Sequence, residues 1–213
     1  MVIVKYKYIF FDFDGTLANT EEVNFVIYQK LAEKYNLRNI TLDELGHIKK
    51  MSAKELMEYV ELKKRYLPFI LKRGKKLLKQ DIKNVKLCKP DIFENIKQLK
   101  DMGIKIAIIT TNSKTNVRLF LEKHNVDYFD FISSTTMFGK ESKIKKIIKK
   151  EKLNNNEVLY VGDEIRDIHA ANRAGIDIAS VVWGYNTIES LMKNKPQYLV
   201  YEPAELLKIC KNE

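Results

Sequence analysis

From residue 100 onward, short apolar runs alternate with stretches whose apolar residues recur at helical spacing. Ile104-Lys105-Ile106-Ala107-Ile108-Ile109 reads as a strand, residues 115–124 as a helix and 129–133 as a shorter strand. Residues 142–152 read as a lysine-faced helix with Ile144, Ile147 and Ile148 on its apolar side, and Val158-Leu159-Tyr160-Val161 as the next strand. A helix over 167–174 is stopped by Gly175, a residue suited to the left-handed turn that ends helices. Strand, helix and strand follow at 178–182, 188–193 and 198–200, and Pro203 opens a last helix over 204–211. Near the other end, Tyr8-Ile9-Phe10-Phe11 is a further buried strand. This alternation predicts an α/β fold, a mostly parallel sheet with helices on both faces.

Residues 18–85 break the pattern and contain no convincing strand. Asn19-Thr20-Glu21-Glu22, Thr41-Leu42-Asp43-Glu44 and Ser52-Ala53-Lys54-Glu55 each have capping-box spacing, which marks helix starts. Val23, Val26, Ile27, Leu31 and Tyr35 then recur at helical spacing. Pro68 is expected to break or kink a helix here, and Gly74 to weaken the next one. An all-helical block of residues 18–85 is therefore expected between a core formed by 1–17 and 86–213.

At 213 residues, 45% apolar and 31% charged, the chain can bury a core in the manner of soluble globular proteins. No apolar run approaches the length of a membrane span. Met1-Val2-Ile3-Val4-Lys5 leads straight into the first strand and leaves no room for a signal peptide, which argues for the cytoplasm. Cys88 and Cys210 stand alone, as free thiols in a reducing compartment would. His47, His124 and His169 fall in no motif and are assigned no role.

The net charge of +10 is unevenly spread: between 62 and 89 stand eleven Lys or Arg residues against the single Asp81. That stretch is either a solvated helix face or an anion-attracting surface. Only Tyr66 and Phe69 are aromatic within it, so base stacking on nucleic acid has little support.

The first strand ends in Asp12-Phe13-Asp14-Gly15-Thr16. Side chains at i and i+2 of a strand point the same way, so Asp12 and Asp14 are expected to converge at its carboxyl end. Two carboxylates ~4 Å apart repel by roughly 4 kcal/mol at an effective dielectric of ~20, a cost that a divalent cation or a shared proton offsets. The strand at 104–109 ends in Thr110-Thr111-Asn112-Ser113, whose hydroxyls and N–H groups suit either a phosphate or a helix cap. Lys140 stands at a helix entrance, against the helix dipole. Gly162-Asp163-Glu164-Ile165-Arg166-Asp167 puts Asp163 at a strand carboxyl end, where ligand sites gather in open α/β sheets, and Asp167 in the first helical turn.

Taken together, Phe11-Asp12-Phe13-Asp14-Gly15-Thr16-Leu17, the Gly103 to Thr110 spacing, Gly139-Lys140 and the run from Gly162 through Asp167 to Gly175 resemble the four motifs of the haloacid-dehalogenase-like hydrolases. Val181-Val182-Trp183-Gly184-Tyr185-Asn186 and Glu202-Pro203-Ala204-Glu205-Leu206-Leu207 resemble the tail of phosphoglycolate-phosphatase-like members, while Lys89-Pro90-Asp91 departs from their usual Pro-Gly. The resemblance implies a Rossmann-like core with the helical block as its cap, and a phosphatase acting through an aspartyl-phosphate. Asp12 would be the nucleophile and Asp14 the general acid/base. Mg²⁺ would be held by Asp12, the backbone carbonyl of Asp14 and Asp163. Thr110, or Thr111 one residue on, and Lys140 would contact the phosphoryl group. Asp167, and less directly Glu164, would orient Lys140 or a metal-bound water. The acid at position 14 argues against halide removal. The implied partner is a small anionic phosphorylated substrate handled by a monomer or homodimer, with no membrane or nucleic acid. A phosphomutase or pyrophosphatase of the same superfamily, or a non-enzymatic module that binds anions or nucleic acid through the basic cap, are the alternatives.

Overall fold

The computed structural model describes residues 4–211, so Met1, Val2 and Ile3 of the leading segment lie outside the described residues. In chain order, β1 (Tyr8–Phe11) and β2 (Ala18–Asn19) are followed by α1 (Glu21–Tyr35), α2 (Leu45–Ile48), α3 (Ala53–Tyr59) and α4 (Leu67–Asp81). Then come β3 (Lys86–Leu87), α5 (Ile92–Asp101), β4 (Lys105–Thr110), α6 (Lys114–Lys123), β5 (Phe131–Ser134) and α7 (Lys140–Glu151). The chain closes with β6 (Val158–Gly162), α8 (Ile165–Ala174), β7 (Asp177–Val181), α9 (Ile188–Lys193), β8 (Tyr198–Val200) and α10 (Glu205–Lys211).

Six strands form one sheet in the order β5-β4-β1-β6-β7-β8, and every pair in it is parallel. Alternation along β1 sends Ile9 and Phe11 into one buried cluster and Tyr8 and Phe10 into the other, so both faces are covered. In β1, Phe11 lies level with Ile108 of β4 and Val161 of β6, which brings the carboxyl ends of these three central strands together. The chain runs outward from β1 through β4 to β5 and then crosses to β6 on the other side. That reversal opens a crevice at the strand ends.

The helical block leaves and rejoins the core through an antiparallel ribbon of β2 and β3, two residues each, which the sequence pattern did not announce. Pro68 does not kink a helix. It sits in the first turn of α4, where its missing N–H would have no partner in any case. Gly74 lies within the same helix facing Leu31 and Ile27 of α1. Ile27, Leu31 and Leu78 join the larger core cluster, so the block packs onto one face of the sheet. A second seam ties it down: Asn186 Nδ2 donates to the carbonyls of Lys49 (2.7 Å) and Met51 (3.1 Å). Thr187 N–H donates to Lys49 O (3.1 Å) and Ser190 Oγ to Lys50 O (3.2 Å). Cys88 and Cys210 are free thiols, and no described helix is long and apolar enough to cross a membrane.

Phe13, between the two motif aspartates, is fully buried and meets Phe120 of α6 edge-on, with ring centroids 5.2 Å apart. Phe120→Ala should therefore lower stability by about 3–5 kcal/mol. Urea unfolding followed by circular dichroism measures the shift.

Candidate active site

Asp12 follows β1 directly, and its N–H donates to Val161 O at 2.8 Å, so strand pairing persists for one more residue. The chain then turns at Gly15, whose φ is +76°. Beyond the turn the two carboxylates stay near enough for the Asp12 charge to act on Asp14, but they take different partners. Asp12 joins Asp163 and Asp167 in a buried cluster in which one oxygen from each lies within 4.8 Å of the others. Asp14 stands beside that cluster. Its carboxylate accepts from Thr20 Oγ1 (2.9 Å) and from Asn112 Nδ2 (3.0 Å to each oxygen).

Lys140, the first residue of α7, reaches inward and is 2% exposed. Its ammonium donates to Asp12 Oδ2 (2.6 Å) and to Asp167 Oδ1. Burial works against that charge, yet Asp12 and Asp167 outweigh it and hold the Lys140 pKa above its ordinary value. Asp167 serves two neighbours, since its Oδ2 accepts from Glu164 N–H (3.2 Å) and caps α8. Glu164 itself is drawn off by Arg166, at 2.6 Å, and does not enter the cluster.

Asp163 is fully buried and held by Thr16 Oγ1 (2.6 Å) and Tyr185 N–H (2.8 Å). Two glycines clear the space it occupies: a Cβ on Gly15 would lie 2.2 Å from Asp163 Oδ2, and one on Gly184 would lie 2.2 Å from its Cβ. Burial first, then the charges of Glu164 and Asp12, push the Asp163 carboxyl well above its ordinary range. Asp12 Oδ1 is buried without a hydrogen-bond partner. Buried carboxylates that hold protons too tightly, with one oxygen left over, fit a hard divalent cation, which takes oxygen ligands and relieves the repulsion. One Asp167 oxygen lies in this set of three, while Asp167 also holds Lys140 and the Glu164 N–H.

Asp14 is poised differently. Burial and then the Asp12 charge push its carboxyl up to about 6, while the donors Thr20 and Asn112 pull it back. A carboxyl in that range can both give and take a proton near neutral pH. Asn112, Thr20, Thr16 and Tyr185 escaped the sequence reading. Asn112 lay in the Thr-Thr-Asn-Ser run, but nothing there marked its amide as a partner for a carboxylate 98 residues away.

The two threonines at the end of β4 part company. Thr110 is fully buried, and its hydroxyl accepts from Asn112 N–H at 2.9 Å. Thr111 is the one that lines the cleft with Asp14 and Asn112. The structure thus puts Thr111 on the cleft wall, while the Thr110 hydroxyl accepts from its own turn.

The cleft runs into two cavities. An inner chamber of about 410 Å³, with mostly apolar walls, lies largely within the helical block and meets Asp14, Glu164 and Arg166 at its core side. An outer groove of about 580 Å³ runs between α4 and the loops after β4 and β5. Lys72, Lys75, Lys76 and Lys79 line this groove, and Arg73 does not.

This arrangement, with acids at the ends of the neighbouring strands β1 and β6 and in the first turn of α8, and a lysine reaching back to the first, has counterparts among known proteins. The profile of the haloacid dehalogenase-like hydrolases matches residues 9–181. The chain belongs to that family. It is 26% identical to a phosphoglycolate phosphatase of Synechococcus elongatus over 93% of this chain and 94% of that protein. A pyrophosphatase of Bacillus pumilus is 23% identical over 94% of each. A haloacid dehalogenase-like hydrolase structure from Streptococcus pneumoniae shares the fold at a TM-score of 0.78, with 19% identity, 95% of this chain and 97% of that one.

Gly15→Ala should disturb Asp163 twice over, through a Cβ in the carboxylate's place and a left-handed backbone costing roughly 1–2 kcal/mol. The expected outcome is a lower melting temperature together with weakened Mn²⁺ binding, measured by calorimetry. An unchanged metal affinity would show that Gly15 is not needed to seat Asp163.

Proposed function

We propose that this hydrolase is a magnesium-dependent phosphatase of small phosphorylated metabolites that works through a phospho-enzyme on Asp12. The observation that carries the reading is Asp12 itself. One oxygen is gripped by Lys140 and the other is buried without a partner, beside Asp163 and Asp167 and next to the proton-poised Asp14.

In this reading Asp12 attacks phosphorus in line, and the bond to the leaving oxygen breaks as Asp14 delivers a proton to that oxygen. Asp14 then takes a proton from the water that attacks the phospho-aspartate, releasing phosphate and restoring Asp12. Asn112 and Thr20 keep the Asp14 carboxylate aimed through both steps. Lys140 and the Thr111 hydroxyl balance charge on the phosphoryl oxygens. Asp12, Asp163 and Asp167, with the Asp14 backbone carbonyl, would hold Mg²⁺, which as a Lewis acid withdraws charge from the phosphoryl oxygens. Residues 18–85 act as a cap over residues 1–17 and 86–213, screening the reaction from water. The setting is cytoplasmic and the working unit a monomer or homodimer. Phosphoglycolate phosphatases and a pyrophosphatase both stand among the relatives. The chemistry at Asp12 serves either substrate, so the choice falls to the walls of the cleft.

Asp12→Asn should reduce hydrolysis of p-nitrophenyl phosphate by at least ~10³-fold, since an amide neither attacks phosphorus nor binds Mg²⁺ well. Acid quenching during turnover should trap label on Asp12 of the unaltered enzyme. Near-normal turnover in the variant would sink the mechanism.

Mg²⁺ should also raise the melting temperature of chelator-treated protein, because it binds the folded cluster and not the unfolded chain. Asp163→Asn should abolish that rise. A thermal shift that persists in the variant would place the ion elsewhere.

A further inference from the structure

The outer groove differs from the catalytic cleft in its charge. Lys72, Lys75, Lys76 and Lys79 fall at i, i+3, i+4 and i+7 of α4, which puts all four on one helix face. That face spans about 10 Å at 1.5 Å per residue. All four line the groove, and no Asp or Glu does. None of them forms an ion pair with a carboxylate among the described residues. The facing wall carries Ser113, Thr115, Thr135 and Thr136 together with the apolar Met137 and Phe138, and Leu67, Pro68 and Leu71 lie beside the lysines. Lysines on a merely solvated face commonly alternate with acids at i+3 or i+4, and here that compensation is missing.

The groove is also joined to the chemistry. Lys75 and Thr111 line both it and the inner chamber, where Asp14 sits. Lys75 is half-buried; burial lowers its pKa and the charge of Asp14 opposes that shift, which puts this lysine within electrostatic reach of the catalytic acid. Lys72, Lys76 and Lys79 continue outward from it, open to solvent. A ligand that fits this track carries negative charge along its length, starting at the reacting phosphoryl group. A two-carbon phosphate ester is too short to meet more than its beginning.

Resting on the phosphatase reading above, we propose that the groove is a subsite for the distal phosphates of a substrate bearing a chain of phosphates, whose terminal phosphoryl group is the one transferred to Asp12. Attack by Asp12 on the terminal phosphorus breaks the bridging P–O bond and expels the shortened phosphate chain, whose charge the lysines hold. Water then hydrolyses the phospho-aspartate to inorganic phosphate. Inorganic tripolyphosphate and a nucleoside triphosphate present the same chain and are the two sources to be told apart.

The test compares the unaltered enzyme with the triple variant Lys72→Gln, Lys76→Gln, Lys79→Gln, and with Arg73→Gln, Lys83→Gln as a control that removes charge away from the groove. Lys75 is left intact because it borders the catalytic cleft. For tripolyphosphate and ATP, kcat/KM in the triple variant should fall roughly 30-fold or more, the scale expected on losing several charge-assisted contacts to phosphate. For p-nitrophenyl phosphate it should change less than about 3-fold, and the control should change less than that on every substrate, as exposed single charges do. A fall for both chains assigns the groove to the phosphate chain itself, and a fall for ATP alone to nucleoside polyphosphates. An equal effect on all three substrates, or none on either chain, overturns the subsite.

Calorimetry on the Asp12→Asn enzyme removes turnover from the question. This protein should bind tripolyphosphate in excess Mg²⁺, and adding the three lysine substitutions should weaken binding by a similar factor. Equal affinity with and without them overturns the subsite even if the phosphatase chemistry stands. Failure of the unaltered enzyme to hydrolyse p-nitrophenyl phosphate would count against the phosphatase reading, and the binding comparison would still decide the groove.

Discussion

Lys140 brings one ammonium, 2% exposed, between Asp12 and Asp167, and the acidic end of the sheet is organised around it. Three buried carboxylates with nothing between them would repel strongly enough to take up protons or push apart. The position is awkward for the lysine as well. It opens α7, where the helix dipole disfavours a cation by a few tenths to about 1 kcal/mol. Two charge-assisted hydrogen bonds offset that cost, and losing one partner of such a buried group typically costs about 3–5 kcal/mol. The ammonium also fixes relative position, since β1, α7 and α8 all meet at its contacts.

Most of the sheet was legible in the sequence because buried parallel strands advertise themselves. Runs such as Tyr8-Ile9-Phe10-Phe11 and Val158-Leu159-Tyr160-Val161 have few other ways to be buried. Thr41–Glu44 and Ser52–Glu55 do form capping boxes, the first on a short 3-10 turn and the second on α3. The start of α1 is the instructive exception. Thr20 occupies the cap position but makes no side-chain cap bond, since its hydroxyl is turned to Asp14. A local signal named the helix start correctly while a tertiary contact took the side chain for the site.

The same limit governs the site residues. Asp12, Asp163 and Lys140 could be read because motif spacing and strand ends locate them to the residue. Thr110 against Thr111 could not, because which hydroxyl faces the cleft depends on a turn just beyond the strand, where alternation stops being a guide. Asn112, Thr16 and Tyr185 act on partners far away in sequence, and their types are equally at home in any loop. Pro68 shows the reverse case, a strong local signal whose meaning depends on one residue of register between a helix interior and its first turn.

The seam between Asn186, Thr187 and Ser190 and the carbonyls of Lys49, Lys50 and Met51 consists of four hydrogen bonds and no ion pair. Parting it exchanges protein partners for water, at a net cost of about 0.5–1.5 kcal/mol per bond. The gross enthalpy of breaking those bonds is much larger than that net figure. The seam therefore adds a modest polar contribution to the apolar packing of Ile27, Leu31 and Leu78 that holds the helical block on the core. Because neutral bonds are little screened by salt, ionic strength leaves this join between the helical block and the core almost untouched.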